Sequence, residues 1–224
     1  MDEQQRNDLQ SSYDSVADEY ARRIYDELKD KPFDRELLDR FADHLKGAGV
    51  VCDMGCGPGQ IARYLHERGV SVLGVDLSPG MIEQARRLNP GLEFKTGNML
   101  ALDVEDEAWA GIAAFYSIIH IPRAEVIAAL RELRRALRGG GLLLLAFHLG
   151  DDVLYLNEWW GHSVSADFVF FRRDEMESYL LAAGFEIEEA IEREPYPGVE
   201  HQSRRGYILA HRPVNSIGDK NSLS

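Results

Sequence analysis

At 224 residues the chain has the length of one α/β domain with enough sequence to bury a sizeable core. Its formal net charge of −13 argues against a surface that tracks phosphates, and so against DNA or large RNA as a substrate. Leu142 to Leu149 is only strand-sized, no run is membrane-spanning, and Met1-Asp2-Glu3-Gln4-Gln5-Arg6 is too polar for a signal peptide; the expected compartment is the cytoplasm.

Taken in order, residues 9–46 are expected to be helical. Tyr13, Val16, Ala17 and Tyr20 recur at helical spacing, Ile24 and Leu28 extend that face, and Lys31-Pro32 interrupts it. Phe33, Leu37, Leu38, Phe41 and Leu45 mark a second helix. A strand, Val50–Asp53, then runs into glycines at every second position, Gly55, Gly57 and Gly59, before a helix from Gln60 to Arg68 that Gly69 closes. Glycine lets a ligand approach the backbone, and the unpaired N–H groups of a helix start point into the same space, so this junction suits a nucleotide-like cofactor.

A second strand, Val72–Asp76, ends in an acid, and a helix, Met81–Leu88, and a third strand, Leu92–Thr96, follow. Ile112–Ile119 reads as a fourth strand with His120 just beyond it. A helix from Ala124 to Leu137 and the turn Arg138-Gly139-Gly140-Gly141 lead to a fifth, Leu142–Phe147, which closes on His148. Strands alternating with helices imply a parallel sheet with right-handed crossovers, whose ligands sit at the carboxyl ends of the strands.

Gly150–Phe171 is an insertion rich in aromatics, among them Trp159, Trp160 and Phe168, and Val164 to Phe170 alternates as a strand does. It is expected to cap the substrate pocket, or else to bury its rings against the domain or a second subunit. A helix, Arg172–Ala183, ends at Gly184, and Phe185–Ile191 and Gly206–His211 are the sixth and seventh strands. The loop between them, with Arg193, Tyr196, His201, Arg204 and Arg205, leaves a carboxyl strand end and borders the pocket. The chain thus reads as a single domain over 1–213, with a polar, disordered tail at 214–224.

The glycine spacing breaks the dinucleotide pattern, because its third glycine would fall on Gln60. Asp53-Met54-Gly55-Cys56-Gly57-Pro58-Gly59 instead resembles motif I of the class I S-adenosylmethionine (SAM)-dependent methyltransferases, small-molecule type. The resemblance implies a doubly wound, seven-stranded α/β sheet, mostly parallel, with helices on both faces and the seventh strand antiparallel at the edge. It implies that Asp53, Gly55, Cys56, Gly57 and Gly59 cradle the amino-acid half of SAM. Asp76, followed by Leu77, would take the ribose hydroxyls, and Met81 opens the helix beneath. Gly97-Asn98-Met99 resembles the segment that brackets adenine, with Asn98 where an acid is usual, and Tyr116 and Ser117 would line the methyl-donor pocket. Tyr13-Asp14-Ser15-Val16-Ala17-Asp18-Glu19-Tyr20 resembles the lead-in that folds over the cofactor as a lid, which puts Tyr20 near SAM and Tyr13 near the acceptor. Trp159, Trp160, Phe168 and Tyr196 are the further acceptor contacts expected.

Methyl transfer from a sulfonium needs alignment and, for a weakly ionised acceptor, a base. His120 and His148 follow cofactor-side strand ends and are preferred for that role over His162 and His201. Ser117-Ile118-Ile119-His120 stands where nucleic-acid methyltransferases carry a Pro-Pro motif, and strand 4 ends without the acids that a metal would need. Cys52 and Cys56 have no second Cys/His pair, so they read as buried apolar residues rather than zinc ligands. The expected activity is methylation of an O, N or C nucleophile of a small organic acceptor, by a monomer or homodimer, with S-adenosylhomocysteine (SAH) as product. Aromatics in the cap suit a partly apolar acceptor, and Arg193, Arg204 and Arg205 leave room for a carboxylate. An enzyme of this fold that cyclises or cleaves SAM, and a SAM-binding protein without turnover, are the alternatives.

Overall fold

The computed structural model describes residues 1–214, and the tail expected from 214 lies, beyond that residue, outside the described residues. In chain order the elements are α1 (Glu3–Ile24), α2 (Pro32–Leu45), β1 (Val50–Met54), α3 (Gln60–Glu67), β2 (Ser71–Asp76), α4 (Pro79–Leu88) and β3 (Glu93–Thr96). They continue with β4 (Trp109–Phe115), α5 (Val126–Ala136), β5 (Leu137–His148), β6 (Val153–Trp159), β7 (His162–Val169), α6 (Arg173–Ala183), β8 (Glu186–Arg193) and β9 (Arg205–His211).

A seven-stranded sheet has the order β3-β2-β1-β4-β5-β9-β8, and β6 and β7 form a separate hairpin. Strands β3 to β5 pair in parallel, while β9 runs antiparallel to both neighbours. The expected antiparallel strand is therefore present, but it lies one place in from the edge, which belongs to β8. Side-chain chemistry explains the exchange. Gly206-Tyr207-Ile208-Leu209-Ala210 is apolar and mostly buried, whereas β8 carries Glu186, Glu188, Glu189 and Glu192, charges that suit an exposed edge.

Alternation along the strands feeds two cores. Cys52, Ile112, Leu143, Leu145 and Phe147 meet α5 and α6 on one face. Val51, Ala113, Leu142 and Leu144 meet α2, α3 and α4 on the other. Burial on both faces is what a parallel sheet requires.

Other boundaries move for local reasons. Helix α1 starts at Glu3, ahead of the expected residue 9, because Asp2 and Gln5 form a capping box with bonds of 2.8 and 3.0 Å. Strand β4 stops at Phe115 because Tyr116 takes a φ of +53°, and Ile118–His120 becomes a short 3₁₀ turn. Strand β5 starts at Leu137, so the Arg138–Gly141 turn is drawn into the strand. The β6–β7 hairpin turns at Trp160-Gly161, with φ of +53° and +84°, the two left-handed residues of a tight hairpin.

Candidate functional site

Between β1 and β4 the direction of sheet progression reverses, which opens a crevice at the carboxyl ends of the strands. The turn after β1 fills its floor. It is tied to β2 by Gly55 N and Cys56 N, which donate to the Val75 carbonyl at 2.7 and 3.1 Å. A Cβ at Gly55 would lie 2.2 Å from Ser117 Cβ, so glycine is needed for β4 to approach. Gly57 has a φ of +51° and faces the cavity; a Cβ there would meet nothing nearer than the Tyr20 ring at 3.7 Å.

The rest of the motif lies behind this wall. A Cβ on Gly59 would strike the Phe94 ring at 2.8 Å, and Cys56 is buried against Gly74. Asp53 is fully buried, and its Oδ2 accepts from Ala62 N at 2.9 Å, capping α3 from beneath. Burial pushes its carboxyl up to about 7. Asp53, Cys56 and Gly59, expected as cofactor contacts, thus hold the turn in shape and do not line the cavity. Asp53→Ala should lower unfolding stability by about 1–2 kcal/mol in denaturant titration and change ligand affinity less than a change at Asp76.

Asp76, at the end of β2, does reach the cavity. Its Oδ2 accepts from Gly57 N at 2.8 Å and its Oδ1 from Ser78 N at 2.9 Å, so one carboxylate braces the glycine turn and the start of α4 and keeps lone pairs free. Burial raises its carboxyl to about 6. Leu77, Asn98 and Met99 continue the wall, with Asn98 Oδ1 accepting from Leu100 N at 3.0 Å. Met81 is buried under the lid with Val16, Ala17 and Val164, and it makes no part of the lining.

The lid is α1 with the β6–β7 hairpin. Asp14 Oδ1 accepts from Ser78 Oγ at 2.5 Å and Gly80 N at 2.8 Å, which pins α1 to the start of α4. Ser165 N donates to Ser12 Oγ at 2.8 Å, joining hairpin to helix. Tyr13, Tyr20, Trp159 and Phe168 face the cavity. Trp160 packs behind, tilted on Tyr20 at 6.1 Å with Arg23 over its ring at 5.1 Å. Tyr196 is also outside; its hydroxyl accepts from Phe33 N at 3.2 Å and Arg193 covers its ring at 4.3 Å.

Glu27, Lys31 and Gln60 line the cavity without having been expected there, and Glu200 lines it from the loop that was expected to border the pocket. Glu27 and Lys31 lie in and just after the short 3₁₀ turn of Glu27–Asp30 that links α1 to α2, where helical periodicity gives no signal. Despite burial, the Arg193 bonds of 2.7 and 2.8 Å hold Glu200 down at about 2.

The two preferred histidines differ in state. His120 Nδ1 sits 2.8 Å from the Asp167 carbonyl, which only accepts, so Nδ1 carries the proton and Nε2 the lone pair. That lone pair is 2.7 Å from the Tyr13 hydroxyl. Burial lowers His120 to about 4, which leaves it neutral near pH 7, and raises the Tyr13 phenol well above its usual value. Tyr13 and His120 both line the cavity, joined by that bond. His148 Nδ1 lies 2.8 Å from both Arg205 Nη1 and Ser203 Oγ; a guanidinium only donates and the hydroxyl can turn its proton to the ring, so Nδ1 accepts and the proton sits on Nε2. Burial, then the Arg205 charge, hold it down at about 3. His148 is a hydrogen-bond donor toward the cavity rather than the base expected of it. The cavity encloses about 370 Å³. Among the described residues no group of three or more His, Cys, Asp or Glu side chains is arranged to hold a metal ion, and no helix is long and apolar enough to cross a membrane.

Residues 51–141 match a protein family described as a methyltransferase domain. The chain is 35% identical over 97 residues to the malonyl-[acyl-carrier protein] O-methyltransferase of Salmonella typhimurium, covering 42% of this chain and 36% of that one. It is 25% identical over 215 residues to an uncharacterized methyltransferase of Anoxybacillus flavithermus, covering 91% and 88%. The solved DhpI–SAH complex superposes with a TM-score of 0.71 at 20% identity, over 96% of this chain and 100% of that one. Against the first three curated relatives the chain spans from 36% to 51% of their length. With its strand order and its glycine turn, the chain has the Rossmann-like fold seen in solved SAM-dependent methyltransferases, and its residues 51–141 form a methyltransferase domain.

Proposed function

We propose that the protein transfers the methyl group of SAM to an O, N or C nucleophile of a small organic molecule and releases SAH. The observation that carries this reading is the convergence of Gly57, Asp76 and Asn98 on one cavity beneath an aromatic lid. The residues fit the cofactor. Gly57 leaves open a space that any side chain would enter, and Asp76 keeps acceptor lone pairs for two ribose hydroxyls. Asn98 and Met99 line the cavity and would face the adenine, and Glu27 and Lys31 would offer opposite charges to the ammonium and carboxylate of the amino-acid end.

When bound, SAM supplies an electrophilic methyl for in-line displacement, so the chain's work is to bind, align and exclude water. The lid of Tyr13, Tyr20 and Trp159 removes solvent from the cavity. For an acceptor that arrives protonated, Tyr13 Oη takes the proton as it hands its own to His120 Nε2, and the Asp167 carbonyl holds the ring in place. Tyr13→Phe and His120→Ala should each lower kcat on the order of 10²-fold, leave the KM for SAM near its original value, and combine without a further loss of that size. Additive losses would show that the two do not act as a unit.

The acceptor is a small molecule, and the protein works in the cytoplasm as a monomer or homodimer, one methyltransferase unit over 1–213 with its lid at 9–46 and cap at 150–171. Calorimetry with SAH and NAD tests the cofactor: SAH should bind and NAD should not. Incubation of SAM carrying a labelled methyl with compound mixtures then tests turnover. Label in a new small molecule together with SAH supports transfer. Methylthioadenosine would mark an enzyme that splits SAM, and binding without either product a non-catalytic SAM protein.

A further inference from the structure

The cavity extends from the cofactor region to the loop before β9, and three basic side chains beside it are held out of solvent. Lys31 Nζ pairs with Glu27 Oε2 at 2.6 Å. Arg193 pairs with Asp34 and Glu200, each at 2.7 Å. Arg205, with only 3% of its side chain exposed, differs from both. Its Nη1 donates to His148 Nδ1 at 2.8 Å and to the Ser203 carbonyl at 2.7 Å, and its Nη2 donates to the His201 carbonyl at 2.9 Å. All of these acceptors are neutral. The nearest carboxylate oxygen, Glu200 Oε1, is 3.7 Å from Arg205 Nε, and that Nε–H has no hydrogen-bond partner.

Glu200 is shared with Arg193 at 2.7 Å and Lys31 at 3.6 Å, so Arg205 has only part of one buried carboxylate, and an anion arriving near its guanidinium adds to its stabilisation. His148, bonded to Arg205, offers a place for the anion on the cavity wall. His148 accepts from Arg205 on Nδ1, so its Nε2–H faces away from the guanidinium; Nε2 makes no bond among the described residues, and the ring lines the cavity. The imidazole lies stacked on Phe170 at 5.1 Å and close to Tyr116 at 5.1 Å, which leaves flat apolar surfaces beside the donor. We propose that the methyl acceptor carries a carboxylate, which docks on His148 Nε2–H with the Arg205 guanidinium behind the ring as its counter-charge. The proposal rests on the methyltransferase reading of the cavity and adds the class of acceptor; the carboxylate is its handle, whichever atom receives the methyl.

The test is calorimetric titration of the full chain, with and without saturating SAH. The probes are benzoate, phenylacetate and 3-phenylpropionate, each with its primary amide. At least one acid should bind the SAH-loaded protein about tenfold or more tighter than its amide, the loss expected when a charge-assisted hydrogen bond is withdrawn. His148→Gln, which keeps an N–H donor near the Nε2 position, should retain this preference. His148→Asn, which keeps an acceptor for Arg205 but withdraws the donor, should lose it while SAH affinity stays unchanged. Equal binding of acid and amide, no acid binding where SAH binds, or acids that compete with SAH would each overturn the proposal. Absence of SAH binding to the wild-type protein would overturn the cofactor reading instead, and the titrations without SAH still decide the carboxylate site.

Discussion

Gly57→Val is expected to abolish SAH binding while leaving the fold in place. Gly57 sits at a φ of +51°, a conformation that a β-branched residue adopts only under strain, and its missing side chain is part of the cavity. Strain of about 1–3 kcal/mol acts together with two methyls placed opposite the Tyr20 ring, so the affinity should fall by at least about a hundredfold. Calorimetry reads the loss, and far-UV circular dichroism with thermal unfolding reads the fold. Gly55→Val and Gly59→Val make the contrast, since their side chains would strike Ser117, Phe94 and Asn89 rather than a ligand. Those variants should unfold early. A Gly57→Val protein that binds SAH as well as wild type would show that the turn does not touch the cofactor.

Asp76→Ala should weaken SAH binding by about tenfold to several hundredfold, the loss of one or two hydrogen bonds to a charged acceptor. The same carboxylate sets a pH dependence. Burial holds its pKa at about 6, and a ribose hydroxyl donates to the ionised form, so SAH affinity should fall as the pH drops through about 6. In Asp76→Asn that dependence should vanish. Loss of the fold does not imitate it. A carboxyl raised above its unfolded value of about 3.9 binds its proton more readily in the native state, so this group adds stability as the pH falls from about 6 toward that value. A flat affinity from pH 8 to pH 5 in the wild type would place the ribose elsewhere.

The sheet was legible because its chemistry is local. Runs such as Leu142 to Phe147 are apolar on both faces, and glycine, proline and asparagine mark most of the ends. The cavity wall was legible at Gly57, Asp76 and Asn98, which end or follow strands and line the cavity. It was misread where a motif residue is structural. Asp53 and Gly59 stand close to Gly57 in sequence, yet the positive-φ turns at Gly55, Gly57 and Gly59 send them to the helix cap and the Phe94 ring. The histidines show a second limit. Sequence spacing puts His120 and His148 at strand ends, but their roles follow from distant partners, Tyr13 and Arg205, 107 and 57 residues away. The place of β9 was likewise decided by which of two terminal strands could bear exposure, and the glutamates of β8 were the available clue.

The most direct measurement is a crystal structure of the protein grown with SAH. The account predicts its ribose hydroxyls within hydrogen-bond distance of the Asp76 carboxylate, its adenine beside Asn98 and Met99, and its amino-acid end over Gly57. SAH bound at another surface, or a cavity that stays empty at saturating SAH, would contradict it.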